Sequence, residues 1–132
     1  EWYKINPVFD FIVDFIRENK DIIYIITSKD KPAVVTLFKE YNLAIKEDKI
    51  LDRYFEKSKL KKILKIKDQL NIKEQEIYFV DDMLLHLTPV KEGSDIKCFL
   101  STWGYNDSKQ QKQAEKDGIT LLTKENFKDK LK

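Results

Sequence analysis

Residues 22–28 read Ile22-Ile23-Tyr24-Ile25-Ile26-Thr27-Ser28, and residues 76–82 read Glu76-Ile77-Tyr78-Phe79-Val80-Asp81-Asp82. Both stretches are apolar without alternation, rich in β-branched and aromatic residues, and stop abruptly on polar side chains. An alternating run belongs to a strand with one wet face, whereas a continuous run belongs to a strand covered on both faces. Two further runs of the same kind lie at 96–100 and 119–122. Between them the apolar residues recur with helical spacing. Alternating buried strands and amphipathic helices predict an α/β domain: a three-layer, Rossmann-like, mostly parallel sheet with helices on both faces. Strands are expected near 22–27, 76–80, 96–100 and 119–122.

Working outward, Pro7 to Lys20 carries Val8, Phe11, Ile12, Phe15 and Ile16 at helical spacing, with Pro7 suited to a first turn and Asn6 to its cap. Asp30 and Pro32 open a second helix, with Val34, Leu37, Phe38 and Tyr41 on one face. Residues 43–57 read as irregular, with room for one short strand. Ser58 is placed to cap a helix whose stripe is Leu60, Ile63, Leu64 and Leu70. A short helix is expected over 84–91 and a polar surface helix over 108–117. A last helix, capped by Thr123, carries Phe127 and Leu131. No repeat, linker or low-complexity tract interrupts residues 1–132, which read as one domain.

The scarce residues exclude several chemistries. Three glycines, Gly93, Gly104 and Gly118, are too far apart for a dinucleotide-binding turn or a Walker-type phosphate loop. One histidine, His86, cannot make a histidine metal cluster. One cysteine, Cys98, makes no intrachain disulfide and reads as an inert core thiol. Lysine and arginine number 25 against 23 acidic residues, a net charge of +2, so there is no electrostatic footprint for nucleic acid. No apolar run reaches the roughly 18 residues of a membrane span. No secretory leader opens the sequence, and a cytoplasmic protein is expected.

Ligands of open parallel sheets bind beyond the carboxyl ends of the strands. The residues expected there are Thr27 and Ser28, Asp81 and Asp82, Ser101 to Trp103, and Thr123. Adjacent carboxylates at the end of a buried strand repel unless a positive charge sits with them. Mg²⁺, held by one or two carboxylates with waters and phosphate oxygens, would remove the repulsion. A carboxylate there can equally cap the next helix, as the hydroxyls of Thr27 and Ser28 can cap theirs. A helix start also binds anions. The run Lys57-Ser58-Lys59-Leu60-Lys61-Lys62 offers point charges for a phosphoryl group. Trp103 can stack on a ligand or plug the sheet edge, and His86 reads as a surface or packing residue.

Strand–Thr, then Lys at a helix start, then strand–Asp-Asp, in that order, resembles the haloacid dehalogenase (HAD) superfamily of phosphohydrolases. Ile22 to Lys29 resembles its second motif and the following turn. Ser58 to Ile63 resembles the third-motif region, with Lys59 the better match and Lys57 the alternative. Tyr78 to Asp82 resembles the fourth motif, and Trp103-Gly104-Tyr105 a loop after the next strand. The resemblance runs from about residue 5 onward. It implies a Mg²⁺-dependent phosphatase acting on a small phosphorylated substrate through an aspartyl-phosphate. Thr27, with Ser28, would bind the phosphoryl group, Lys59 would neutralise it, and Asp82 with Asp81 would hold Mg²⁺. Thr27 and Asp82 should then lie within about 10 Å of each other.

The family's first motif, an Asp-x-Asp after a strand, is absent from the 132 residues. Asp10 and Asp14 do not replace it, because they fall on an amphipathic helix. In the family that strand lies between the strands matched here by 22–27 and 76–80. Without it, two buried sheet edges would keep unpaired backbone groups. The expectation is a HAD-like core whose nucleophile strand, and any cap, precede Glu1. The alternatives are a catalytically inactive binding or scaffold module of the same fold and, with its motifs in a different order, a receiver-type signalling domain.

Overall fold

The computed structural model describes residues 10–19, 21–26, 31–40, 43, 45–52, 58–103 and 106–131. The chain divides into two compact units, 1–62 and 63–132. The architecture is α/β, with small parallel sheets interleaved with helices.

In the first unit, α1 spans Asp10–Glu18. Asn19 ends it by donating its side-chain amide to the Phe15 carbonyl at 2.9 Å. Arg17 and Asp14 pair on its exposed side at 2.9 Å, so Asp14 is a surface charge on a helix, as its spacing implied. Strand β1 is short, Ile25–Ile26, and pairs in parallel with β2, Ile50–Leu51, in the register Ile25↔Ile50 and Ile26↔Leu51. The expected strand over 22–27 is therefore too long at its start: Ile22 lies in a turn and is 78% exposed. An apolar run marks what can be buried, but only a hydrogen-bonding neighbour makes a strand. β2 is the short strand allowed for within 43–57. Helix α2, Lys31–Glu40, joins β1 to β2 and buries Val34.

Asp52, directly after β2, is buried, and its Oδ2 accepts the Lys31 backbone N–H at 3.2 Å. A carboxylate at a helix start meets an amide without an intrahelical acceptor and the positive end of the helix dipole. This one contact ties the end of β2 to the start of α2. On the other flank, the Lys49 ammonium donates to the Asp21 carbonyl and lies 5.0 Å from the centre of the Tyr24 ring.

Helix α3, Lys59–Leu70, runs across the division between the units. Ser58 begins it as expected, its hydroxyl accepting the Lys61 N–H at 3.3 Å. Ile63 and Ile66 are buried, while Leu70, expected on the same stripe, is exposed in the last turn. Asn71 then takes a left-handed conformation (φ 53°), and the Ile72 N–H returns to the Lys67 carbonyl at 3.2 Å, a common helix ending.

The second unit holds a three-stranded parallel sheet in the order β3-β4-β5, formed by Tyr78–Asp81, Lys97–Ser101 and Thr120–Leu122. Asp81 pairs with Leu100, and Ser101 with Leu122. The strands start one or two residues later than the apolar runs predict; before β3, Glu74–Glu76 forms a 3-10 turn that takes up the start of its run. Central β4 buries Cys98, Phe99, Leu100 and Ser101. Helix α4, Leu84–Gly93, packs on β3 and β4 and buries Leu87 and Val90. Helix α5, Ser108–Lys116, packs on β5 and ends on Gly118, whose φ of +81° suits glycine. The short α6, Phe127–Lys130, follows a turn in which the Thr123 hydroxyl accepts the Asn126 N–H at 3.1 Å. No helix among the described residues is long and apolar enough to cross a membrane.

Burial pushes the Cys98 thiol up from 9.0 to about 11, against a smaller opposing effect of the Lys91 ammonium. The folded state thus favours the neutral thiol. That contribution to stability is intact below about pH 9 and is lost as pH rises through about 11. Native protein should resist Ellman's reagent at neutral pH and react once unfolded, and Cys98→Ala should flatten part of the alkaline fall in urea midpoint; rapid reaction of the native thiol would contradict this. For Asp52, replacement by Ala leaves the α2 amide without its acceptor and should lower stability by about 1–3 kcal/mol, read as a fall in the urea midpoint. An unchanged midpoint would show that the cap contributes nothing.

Candidate functional site

The carboxyl rim of the three-stranded sheet is built by backbone register and then locked by side chains. β3 ends on Asp81, Asp82 follows, and α4 starts two residues later at Leu84. Parallel pairing brings the end of β4, Ser101, to the same rim. Asn106 joins the two strand ends: its side-chain amide donates to the Asp82 carbonyl at 2.9 Å and to the Ser101 carbonyl at 2.8 Å. Its own oxygen accepts from Gln111 of α5 at 2.8 Å. Thr102 ties β4 to β5, with both its backbone N–H (2.9 Å) and its hydroxyl (2.8 Å) donated to the Leu122 carbonyl.

Asp81 sits inside this frame with its side chain 8% exposed. Its Oδ1 accepts the Met83 N–H at 2.9 Å, closing a turn that starts α4. His86 Nδ1 lies 3.2 Å from both carboxylate oxygens. The expected role of Asp81, with Asp82, in holding Mg²⁺ thus meets an intramolecular competitor. His86, read from sequence as a surface or packing residue, lies against Asp81. Asp82 is half-buried.

Among the described residues no group of three or more histidine, cysteine or acidic side chains is placed to enclose a metal. The residues at the end of β3 offer carboxylate oxygen alone. That set fits a hard cation that keeps most of its shell as water or phosphate oxygen, and does not fit a thiolate- or imidazole-bound metal. To bind such a cation Asp81 would first have to release His86.

The other expected site residues distribute as follows. Thr27, Ser28 and Lys57 lie outside the described residues, so the Thr27–Asp82 separation does too; β1 ends one residue before Thr27. Lys59 is the first residue of α3 and half-buried, and it belongs to the first unit, whereas Asp81 and Asp82 belong to the second. Among the described residues of the lysine run the fully buried member is Lys62, 1% exposed, one turn further on. Trp103 places its ring edge-on to Phe127 at 6.1 Å, which makes it a packing residue at the sheet end.

Sequence reasoning missed His86 and Asn106. Only an aspartate at a strand end with a histidine five residues on could have hinted at the first. Nothing local marks the second, because its acceptors lie 24 and 5 residues away. Compared with protein-family models, curated proteins and solved structures, the chain finds no match.

Asn106→Ala removes two donated bonds that hold adjacent strand ends. The expected result is a loss of about 1–3 kcal/mol. Amide hydrogen exchange should quicken selectively at Asp82, Met83 and Thr102, and uniform quickening across the sheet would argue against a local clasp.

Proposed function

We propose that these residues form most of a HAD-like phosphohydrolase core, a three-layer Rossmann-like domain that acts on a small phosphomonoester with Mg²⁺. The observation that carries the reading is the unit β3–α4–β4. It is a parallel β-α-β element whose first strand delivers Asp81 and Asp82 to the carboxyl rim, where α/β sheets take their ligands. Two features support it. A Ser58-capped helix opens on Lys59, and β1 runs parallel to β2 and leads into Thr27 and Ser28.

In this mechanism the Thr27 and Ser28 hydroxyls donate to phosphoryl oxygens and fix their orientation. The Lys59 ammonium would supply a permanent positive charge that neutralises the phosphoryl group. Asp82, with Asp81 beside it, gives the site its negative wall. Asp82 and Asp81 would hold Mg²⁺, which would supply charge neutralisation for the reaction. None of these groups is a nucleophile for phosphorus. Transfer to an aspartyl-phosphate needs a carboxylate in line with the leaving group, and the reading assigns that role to an aspartate outside these 132 residues.

The absence of an Asp-x-Asp from the sequence also favours a second reading, a binding or scaffold module that holds a phosphorylated ligand without turnover. One experiment separates them. The 132 residues alone should not hydrolyse a generic aryl phosphate. The protein extended through its native upstream Asp-x-Asp should do so with Mg²⁺, and Asp82→Ala should slow it about 100-fold or more. Turnover by the 132 residues would reveal an unrecognised nucleophile, and silence from the extended protein with its motif intact would select the binding module.

A further inference from the structure

Resting on the cation-assisted reading above, we infer that Asn106 is a positioning residue of the carboxyl rim. It holds the peptide between Asp82 and Met83 from one side while Asp81 holds it from the other, so the backbone that carries the acidic pair is set before a cation arrives.

A peptide group is a rigid plane, and the chain turns only at the dihedrals beside it. The Asp82–Met83 peptide is bonded at both ends of that plane. Its N–H, on Met83, donates to Asp81 Oδ1 at 2.9 Å, and its carbonyl, on Asp82, accepts from the Asn106 side-chain amide at 2.9 Å. One residue earlier, Asp81 is paired with Leu100 in the sheet. Asp82 therefore stands between a ladder pair and a clamped peptide, and the direction in which its side chain leaves the backbone is fixed from both sides. Flipping that peptide would break both bonds at once. These contacts act on the backbone of Asp82 and do not depend on what its carboxylate touches.

The clamp is itself oriented. An asparagine amide donates from its nitrogen and accepts at its oxygen. Here the nitrogen serves two carbonyls, those of Asp82 and Ser101, and the oxygen accepts from the Gln111 amide at 2.8 Å. Gln111 lies on α5, so that helix decides which way round the Asn106 amide sits. Turning the amide over would set its oxygen against two carbonyl oxygens. An aspartate at this position meets the same repulsion and brings a further negative charge to the rim. Charge alone predicts that Asn106→Asp tightens cation binding; positioning predicts that it weakens it.

The test is MnCl₂ titration of the full chain, with unbound Mn²⁺ followed by electron paramagnetic resonance. Asn106→Ala and Asn106→Asp should each weaken binding about tenfold or more, the usual cost of removing a group that orients a metal ligand. Thr102→Val is the structural control. It removes the hydroxyl bond to the Leu122 carbonyl, which ties β4 to β5 and leaves the Asp82–Met83 peptide alone, and should change binding less than about twofold. A second readout needs no metal: the Met83 amide proton resonance should shift in both Asn106 variants and stay in place in Thr102→Val. Equal weakening in Asn106→Ala and Thr102→Val overturns the inference in favour of a general structural effect. Tighter binding in Asn106→Asp overturns it in favour of charge, and a Met83 resonance unmoved by Asn106→Ala overturns the clamp. In each of these cases the cation site stands. A wild-type chain that binds no Mn²⁺, or binds it equally well as Asp82→Asn, overturns the cation site and the role of Asn106 with it.

Discussion

The strand β4 is hydrogen-bonded in parallel on both edges, to β3 on one side and β5 on the other. Parallel pairing requires a crossover between consecutive strands, so each strand must be followed by a segment long enough to return to the sheet's start. Helices α4 and α5 supply those returns. A consequence of the shared direction is that all three strands release their chain at the same rim. Asp81-Asp82, Ser101-Thr102 and Leu122-Thr123 are brought together by backbone geometry before any side chain acts. Side chains then lock what the backbone has gathered: Asn106 across β3 and β4, Thr102 across β4 and β5, and the Thr123–Asn126 turn into α6.

The same logic operates on a smaller scale in the first unit. β1 and β2 run parallel, α2 makes the return, and buried Asp52 closes the circuit from the end of β2 to the start of α2. Its carboxylate occupies the place of a phosphate or other anion at a helix start. Buried charges are tolerated in this protein where geometry supplies a partner. Asp52 meets an amide; Asp81 meets an amide and an imidazole.

That pattern changes how an acidic pair at a strand end should be understood. Two adjacent carboxylates suggest a cation because repulsion must be relieved. Relief can also come from within the chain, and here a histidine in the next helix lies against Asp81.

Much of the fold was legible in the residues themselves. Continuous β-branched and aromatic runs marked the strands, because a strand covered on both faces has no reason to alternate. Ser58 and Thr123 marked turns that lead into helices, because a hydroxyl at those positions meets an amide with no other acceptor. Strand lengths were not legible: Ile22 is as apolar as Ile25, yet only the latter has a neighbour across the sheet, and pairing is a property of two segments. The candidate site divides along the same line. Asp81, Asp82 and Lys59 stand out locally, by position after a strand or at a helix start. That Asp81 answers to His86, that Lys62 is buried where the described lysines beside it are not, and that Asn106 clasps two strand ends were decided by tertiary packing. Those contacts depend on where core residues such as Leu87 and Leu100 settle, and no short window of sequence carries that information.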